Sequence, residues 1–97
     1  MLTIEQIKQT VTDYFKDKPV KRVYLFGSYA RGDADENSDV DLLVDLDYEK
    51  KTGFAFFGWY KELGERLKRK VDVVSSGGLS KYIAPFIHQD KTLLYER

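Results

Sequence analysis

The first hydrophobic pattern in the chain has the spacing of a helix. Its apolar positions fall on one helical face, at Ile4, Ile7, Val11, Tyr14 and Phe15. Thr3 precedes this stripe and Gln6 follows three residues later, which is the arrangement of a capping box. Pro19 ends the predicted helix, because proline lacks the N–H that helical hydrogen bonding requires.

The segments after Pro19 include several that are typical of strands. Val20–Phe26, Val40–Leu46 and Val71–Ser75 are rich in β-branched and aliphatic residues, and Thr92–Tyr95 adds a short strand at a sheet edge. Helical patterns separate some of these strands. The chain is therefore predicted to be α/β (α+β), with a small mixed sheet of about four strands flanked by helices.

Two further helices are predicted in the second half of the chain. One runs from about Phe54 to Lys70, after a polar connector at Tyr48–Gly53, and the other runs from a cap at Ser80 through His88. The buried face of the longer helix is predicted to hold Phe57, Tyr60, Leu63, Gly64 and Leu67. His88 is the only histidine, and no metal role is predicted for it.

The start of the longer helix contains too many aromatic rings for one buried face. The core accounts for Phe57 and Tyr60, which leaves Phe54, Phe56 and Trp59. Aromatic side chains are enriched in protein interfaces, and they also stack on nucleobases. A protein interface is the preferred interpretation of these three rings.

Composition limits the possible classes of protein. The 97 residues are expected to form one domain, 1–97, and the 42% hydrophobic content supports a real core. There are no cysteines, which excludes disulfides and thiolate metal sites. No secretory signal and no apolar run of about 18 residues is apparent, so a cytoplasmic protein without a membrane span is expected.

The charge is balanced overall but segregated along the chain. A net charge of zero argues against a general nucleic-acid binder. Residues 33–47 carry seven acidic side chains and no Lys or Arg, whereas residues 61–70 carry five basic ones against two acidic ones. The basic run is interpreted as a solvated helix end, with a docking patch for an acidic partner or RNA as the alternative.

Candidate chemistry begins where the first predicted strand ends. Gly27 can bend the chain and leave backbone N–H groups open to an anion, and Ser28 is a plausible N-cap of a short helix. A helix N-terminus favours phosphate. Arg31, one turn later, can reach a phosphate oxygen or pair with the acidic loop beside it.

Three aspartates supply the second half of the candidate site. Asp39 and Asp41 alternate along the second strand and so point to one face, roughly 6–7 Å apart. Asp72 is out of place in the apolar run of the third strand, and it reaches the same face if that strand lies beside the second. Carboxylates suit magnesium, and three of them so close would raise one another's pKa until a cation binds.

These residues resemble the nucleotidyltransferase superfamily typified by DNA polymerase beta, and especially its minimal nucleotidyltransferase (MNT) branch. The signature is Gly27-Ser28, a spacer that contains Arg31 and Ser38, the pair Asp39 and Asp41, and a distant Asp72. The resemblance implies the nucleotidyltransferase fold. It also implies nucleotide binding by Gly27, Ser28, Arg31 and Ser38, and a catalytic metal site of Asp39, Asp41 and Asp72 that holds two Mg²⁺ ions.

The resemblance further implies an activity and a partner. The expected reaction moves a nucleoside monophosphate, most simply AMP from ATP, onto a hydroxyl group. Stand-alone proteins of this type are often antitoxins that adenylylate a tyrosine of a HEPN-type toxin. Two alternatives stay open: a non-catalytic module that neutralises its partner by direct contact, and a small-molecule transferase of the aminoglycoside type. The latter is disfavoured because 97 residues leave no second substrate-binding domain.

Overall fold

Four strands form one mixed sheet with helices packed against it, which confirms the predicted fold class. The computed structural model describes residues 2–47, 56–78, 82 and 84–97. The helices are α1 (Ile4–Phe15), α2 (Ser28–Arg31), α3 (Phe56–Leu67) and α4 (Ala84–Asp90). The strands are β1 (Val20–Phe26), β2 (Val40–Leu46), β3 (Val71–Ser75) and β4 (Thr92–Glu96), and a 3₁₀ turn at Ser76–Gly78 follows β3.

The sheet order is β3-β2-β1-β4, so β4 lies at an edge as predicted. β1 pairs antiparallel with both β2 and β4, whereas β2 and β3 are parallel. Parallel neighbours need a crossover connection, and α3 supplies it between β2 and β3. This crossover places the start of β3 beside the start of β2, where the candidate carboxylates lie.

The core lies between the sheet and helices α1 and α3. Val40, Leu42 and Val44 of β2 are fully buried, as predicted for its core-facing side. Helix α1 begins with the predicted capping box. The Thr3 hydroxyl accepts a hydrogen bond from the Gln6 N–H at 3.1 Å, and the Gln6 side chain accepts one from the Thr3 N–H at 2.9 Å.

Ile4 does not belong to the buried stripe of α1, contrary to the prediction. Its side chain is 39% exposed, whereas Ile7, Val11, Tyr14 and Phe15 are buried. Ile4 is the first residue of the helix. Its position in the first turn explains the difference, because the elements that cover α1 further along do not enclose this turn.

The buried face of α3 differs from the predicted one. Trp59 is 1% exposed, while Phe57 and Tyr60 are 66% and 54% exposed. Trp59, Leu63 and Leu67 follow one another every fourth residue and set the phase of the helix. The Trp59 ring packs edge-on against Phe15, with ring centroids 5.4 Å apart.

The prediction that Phe57 and Tyr60 form the core is therefore wrong, as is the assignment of Trp59 to an interface. Phe56 is partly buried against the core. The helix is also shorter than predicted, since Lys68 adopts φ +56° immediately after Leu67. Phe54 and the connector at Tyr48–Gly53 lie outside the described residues.

The sequence predicts that the last helix ends at His88, but the helix continues to Asp90. His88 is exposed, and the predicted cap at Ser80 lies outside the described residues. Within the ranges that the structure describes, none of the helices has the length and apolar character needed to cross a bilayer.

The phase of α3 predicts which aromatic residue stabilises the fold. Trp59→Ala should lower the free energy of unfolding by about 3–5 kcal/mol, because it empties a buried site of ring contacts. Phe57→Ala, two residues earlier on the exposed face, should change it by no more than about 0.5 kcal/mol. Urea denaturation of both variants measures the difference. Equal losses would contradict the orientation of α3 described above.

Candidate active site

Two of the predicted carboxylates lie directly across from each other on neighbouring strands. Asp41 of β2 is the register partner of Asp72 of β3. Residues paired in this way project from the same face of a sheet. The expectation that Asp72 reaches the face of Asp41 is therefore confirmed, and the parallel pairing of the two strands is its cause.

This arrangement changes the pKa of Asp41. Its pKa is raised from 3.8 to about 6, first because it is partly buried and then because the negative charges of Asp72 and Asp39 lie nearby. A side-chain hydrogen bond with Asp72 also raises the pKa of Asp41, and the positive charge of Arg31 opposes the change. The sequence predicts that repulsion among the carboxylates raises their pKa values. In the structure, burial contributes more than repulsion to the raised pKa of Asp41.

Gly27 brings the main chain close to this carboxylate. Its φ of +76° and ψ of −153° are accessible essentially only to glycine. A Cβ atom at this position would lie 2.3 Å from Oδ2 of Asp41. The closeness follows from the register, since Phe26, the residue before Gly27, pairs with Asp41. Gly27 is therefore required both by its backbone conformation and by the space that Asp41 occupies.

Ser28 and Arg31 occupy the short helix after this turn. Ser28 is the first helical residue and Gly27 is the N-cap, so the predicted capping role of Ser28 is wrong. The Arg31 guanidinium donates hydrogen bonds to Asp33 and Asp90, both at 3.3 Å. The sequence allows Arg31 either to reach a phosphate oxygen or to pair with the acidic loop. In the structure, its guanidinium pairs with carboxylates.

Ser38 closes the acidic loop that precedes Asp39. Its hydroxyl accepts a hydrogen bond from the Asp35 N–H at 2.8 Å, and its own N–H donates to the Asp35 carbonyl at 3.1 Å. The side chain of Ser38 is thus engaged inside the loop. This local bonding fixes the path by which the chain enters β2 and positions the neighbouring Asp39.

The three carboxylates do not form a shared metal site among the described residues. Oδ2 of Asp39 lies 3.8 Å from Nζ of Lys70, the residue immediately before β3. Among residues 2–47, 56–78, 82 and 84–97, no three His, Cys, Asp or Glu side chains are close enough to share one ion. The donor chemistry nevertheless fits magnesium, which prefers carboxylate oxygens, and a cation would relieve the raised pKa of Asp41.

Lys70 is the contact that sequence reasoning missed. It was included in the basic run as part of a solvated helix end, yet it lies beyond α3 and approaches Asp39. Its position two residues before Asp72 is the available signal. A lysine so close in sequence to a metal-site candidate can provide a counter-charge to a neighbouring carboxylate.

Replacing Gly27 should affect this site in a way that replacing another glycine does not. Gly27→Ala adds backbone strain and also displaces the Asp41 carboxylate, so we expect a loss of about 1–3 kcal/mol in the free energy of unfolding. Gly32→Ala is the matched control, since Gly32 also has a positive φ, +84°, but open space around it. Only the Gly27 variant should shift the carboxyl NMR resonance of Asp41. An unmoved Asp41 would refute the close approach.

The raised pKa of Asp41 predicts how stability depends on pH. Folding raises this pKa from 3.8 to about 6, so the folded protein retains a proton that the unfolded chain releases. The contribution of Asp41 to the free energy of unfolding is therefore full below about pH 4 and is lost as the pH rises through 6.

Asp41→Asn should consequently raise the midpoint temperature of unfolding at pH 7.5 and leave it nearly unchanged at pH 4. Glu36→Gln, which removes an exposed carboxylate of the loop, is the control and should have little effect at either pH. Calorimetry at the two pH values measures both variants. Destabilisation by Asp41→Asn at pH 7.5 would contradict the interpretation.

Comparison with known proteins identifies the family to which this chain belongs. The protein adenylyltransferase MntA of Thermococcus cleftensis is 37% identical over 100 residues, which cover 99% of this chain and 94% of that protein. A solved toxin–antitoxin structure with AMP-PNP superposes with a TM-score of 0.76 at 23% identity, covering 99% of this chain and 75% of the other.

A second structure is an MNT antitoxin in complex with a tri-AMPylated HEPN toxin from Shewanella oneidensis. It gives a TM-score of 0.75 at 18% identity and covers 98% of this chain and 74% of that one. At such identities the two structures establish the shared fold. The sequence profile described as "Polymerase beta, Nucleotidyltransferase" matches residues 5–97. The chain therefore belongs to the polymerase beta nucleotidyltransferase family.

Proposed function

We propose that this protein is a magnesium-dependent adenylyltransferase that transfers AMP from ATP to a tyrosine hydroxyl of a HEPN-type protein and thereby acts as its antitoxin. The relative from Thermococcus cleftensis is named a protein adenylyltransferase and aligns along almost the full length of both chains. Structures with the same fold are toxin–antitoxin complexes, one with AMP-PNP and one with an AMPylated toxin. These relatives support the activity and the class of partner.

The observation that carries the proposal is the opposition of Asp41 and Asp72 beside the Gly27 turn. Two carboxylates on adjacent strands share one face, and the backbone of Gly27, which has no Cβ, approaches the carboxylate of Asp41 closely. Such a turn can admit phosphate oxygens next to carboxylates. Few arrangements combine a phosphate-accepting turn with hard oxygen ligands, and nucleotidyl transfer requires both.

The proposed roles follow from position. Gly27 and Ser28 would hold the nucleotide phosphates, with Arg31 and Ser38 at the border of that site. Asp39 and Asp41 would be the ligands of two magnesium ions, and Asp72 would complete the ligand set. Magnesium, when bound, supplies neutralisation of charge at the α-phosphate and at the leaving pyrophosphate.

The proposed transfer forms one bond to phosphorus, breaks another and releases one proton. The tyrosine hydroxyl oxygen forms a bond to the α-phosphorus, and the bond from that phosphorus to the bridging oxygen breaks to release pyrophosphate. Asp72, the most exposed end of the carboxylate set, accepts the proton of the hydroxyl. The protein's main contribution is to position the reacting groups.

A second function is favoured by the exposed aromatic side chains. Phe57, Phe86 and Tyr82 are 66%, 70% and 75% exposed, and rings of this size on a surface are typical of protein contacts. They support a module that neutralises its partner by binding alone. The two functions differ in whether the carboxylates are needed.

The test of transfer is a double variant that lacks two of the carboxylates. Asp39→Asn/Asp41→Asn should reduce the transfer of labelled AMP from α-labelled ATP to a co-purified HEPN partner at least about a hundredfold. The reason is that the metal ligands are removed. Asp13→Asn/Glu36→Gln removes two exposed carboxylates elsewhere and should retain incorporation. Incorporation that persists in the first variant would exclude the proposed site. Neutralisation of the partner without any incorporation by the wild type would favour the binding module.

A further inference from the structure

Lys70 extends the row of side chains that forms the candidate active site. Val40 of β2 and Val71 of β3 are register partners, so the residues that precede them, Asp39 and Lys70, lie beside each other. The N–H of Val40 donates a hydrogen bond to the carbonyl of Lys70 at 2.9 Å, which continues the contact between the two chain segments as far as Lys70. The strand pairing that places Asp72 in the site therefore also places Lys70 there.

Lys70 lies on the same face of the sheet as the carboxylates. Successive side chains of an extended chain point to opposite faces. Val71 is buried in the core and Asp72 is exposed, so Lys70, two residues before Asp72, lies on the side of Asp72. Two unlike pairs therefore stand next to each other on this face. Asp41 is paired with a second carboxylate, whereas Asp39 is paired with an ammonium group.

The ion pair between Lys70 and Asp39 is accessible from solvent. Nζ of Lys70 lies 3.8 Å from Oδ2 of Asp39, and the two side chains are 73% and 38% exposed. An exposed ion pair contributes little to folding stability, because water screens the charges and two long side chains have to be ordered. The ammonium group can therefore exchange Asp39 for another anion that enters the site.

A divalent cation at this site would meet the positive charge of Lys70. Carboxylate oxygens attract Mg²⁺, but a cation that approaches Asp39 is repelled by the ammonium group already beside it. The phosphate oxygens of a nucleotide remove this conflict, since they can accept the ammonium group as lysine commonly provides it to phosphates. Lys70 thus opposes the entry of the metal ion alone and favours its entry with a nucleotide.

We propose that Lys70 couples metal binding to nucleotide binding, so that the site takes up the two ligands together. In the empty protein the ammonium group neutralises Asp39. When metal and nucleotide enter, the side chain of Lys70 turns from Asp39 to a phosphate oxygen and leaves the carboxylate to the metal. The inference rests on the proposed transferase function and adds a residue that links its two ligands. Such a coupling is reciprocal, because each ligand strengthens binding of the other by the same factor.

The test measures two dissociation constants of the Lys70→Met variant. Without nucleotide, the variant should bind Mn²⁺ about threefold to tenfold more tightly than the wild type, because the competing positive charge is gone. It should bind the Mn²⁺ complex of AMP-PNP about threefold to tenfold more weakly, because the phosphate loses a counter-charge. Lys70→Arg, which keeps the charge, should resemble the wild type in both titrations. Electron paramagnetic resonance counts free Mn²⁺, calorimetry measures binding of the complex, and circular dichroism checks the fold.

Lys8→Met is the matched control. Lys8 is an exposed lysine on α1, and its loss changes the net charge by the same amount as Lys70→Met. Equal tightening of Mn²⁺ binding by the two variants would overturn the proposal, because only overall charge would then matter. Weaker binding of Mn²⁺ by Lys70→Met would also overturn it, since Lys70 would then hold Asp39 in place for the metal. The same conclusion would follow if neither the wild type nor Lys70→Met bound Mn²⁺.

Transfer of labelled AMP from α-labelled ATP to a co-purified HEPN partner separates this proposal from the transferase function. Opposite shifts of the two dissociation constants in Lys70→Met, without transfer by the wild type, would uphold the coupling and reject transfer. Transfer by the wild type, with both constants unchanged in Lys70→Met, would uphold transfer and reject the coupling. We expect the opposite shifts, transfer by the wild type, and a raised KM for the Mg²⁺ complex of ATP in Lys70→Met.

Discussion

The structure of the site depends on a carboxylate held at a position where its charge is unfavourable. Asp41 is partly buried near the end of β1, with Asp72 across from it and the Gly27 backbone against it. Two strand pairings meet at this residue, one antiparallel and one parallel. Moving Asp41 would require both registers to shift, and a one-residue slip would send its side chain to the other face of the sheet.

That constraint accounts for the surrounding residues. Gly27 has to be glycine because Asp41 fills the space of a side chain, and its positive φ allows the chain to enter α2 at once. Lys70 places a positive charge near Asp39, and the positive charge of Arg31 lowers the pKa of Asp41. These cations offset part of the repulsion without removing it. A bound metal ion would offset the rest, so the repulsion among these carboxylates favours cation binding.

Packing against the core side of the sheet determines which side chains of α3 are exposed to solvent. Trp59 enters the core between Phe15 and Phe56, with ring centroids 5.4 Å and 5.3 Å away. Because a helix has a fixed turn angle, burying Trp59 sends Tyr60 outwards. Tyr60 is accordingly 54% exposed, next to a residue that is almost completely buried. The hydrophobic packing of α3 thus decides which aromatic ring this helix presents to solvent.

Local patterns in the sequence determined the strands, the capping box of α1 and the motif of Gly27, Asp39, Asp41 and Asp72. These features depend on neighbouring residues, since a strand is recognised from a few β-branched positions and a cap from a four-residue pattern. The tertiary structure alone decided the phase of α3, because several aromatic residues of similar hydrophobicity competed for one face. It also decided the pairing of Arg31, the contact of Lys70 with Asp39 and the predominance of burial in the pKa of Asp41. Each of these requires side chains that are distant along the chain to meet, and sequence spacing does not encode that distance.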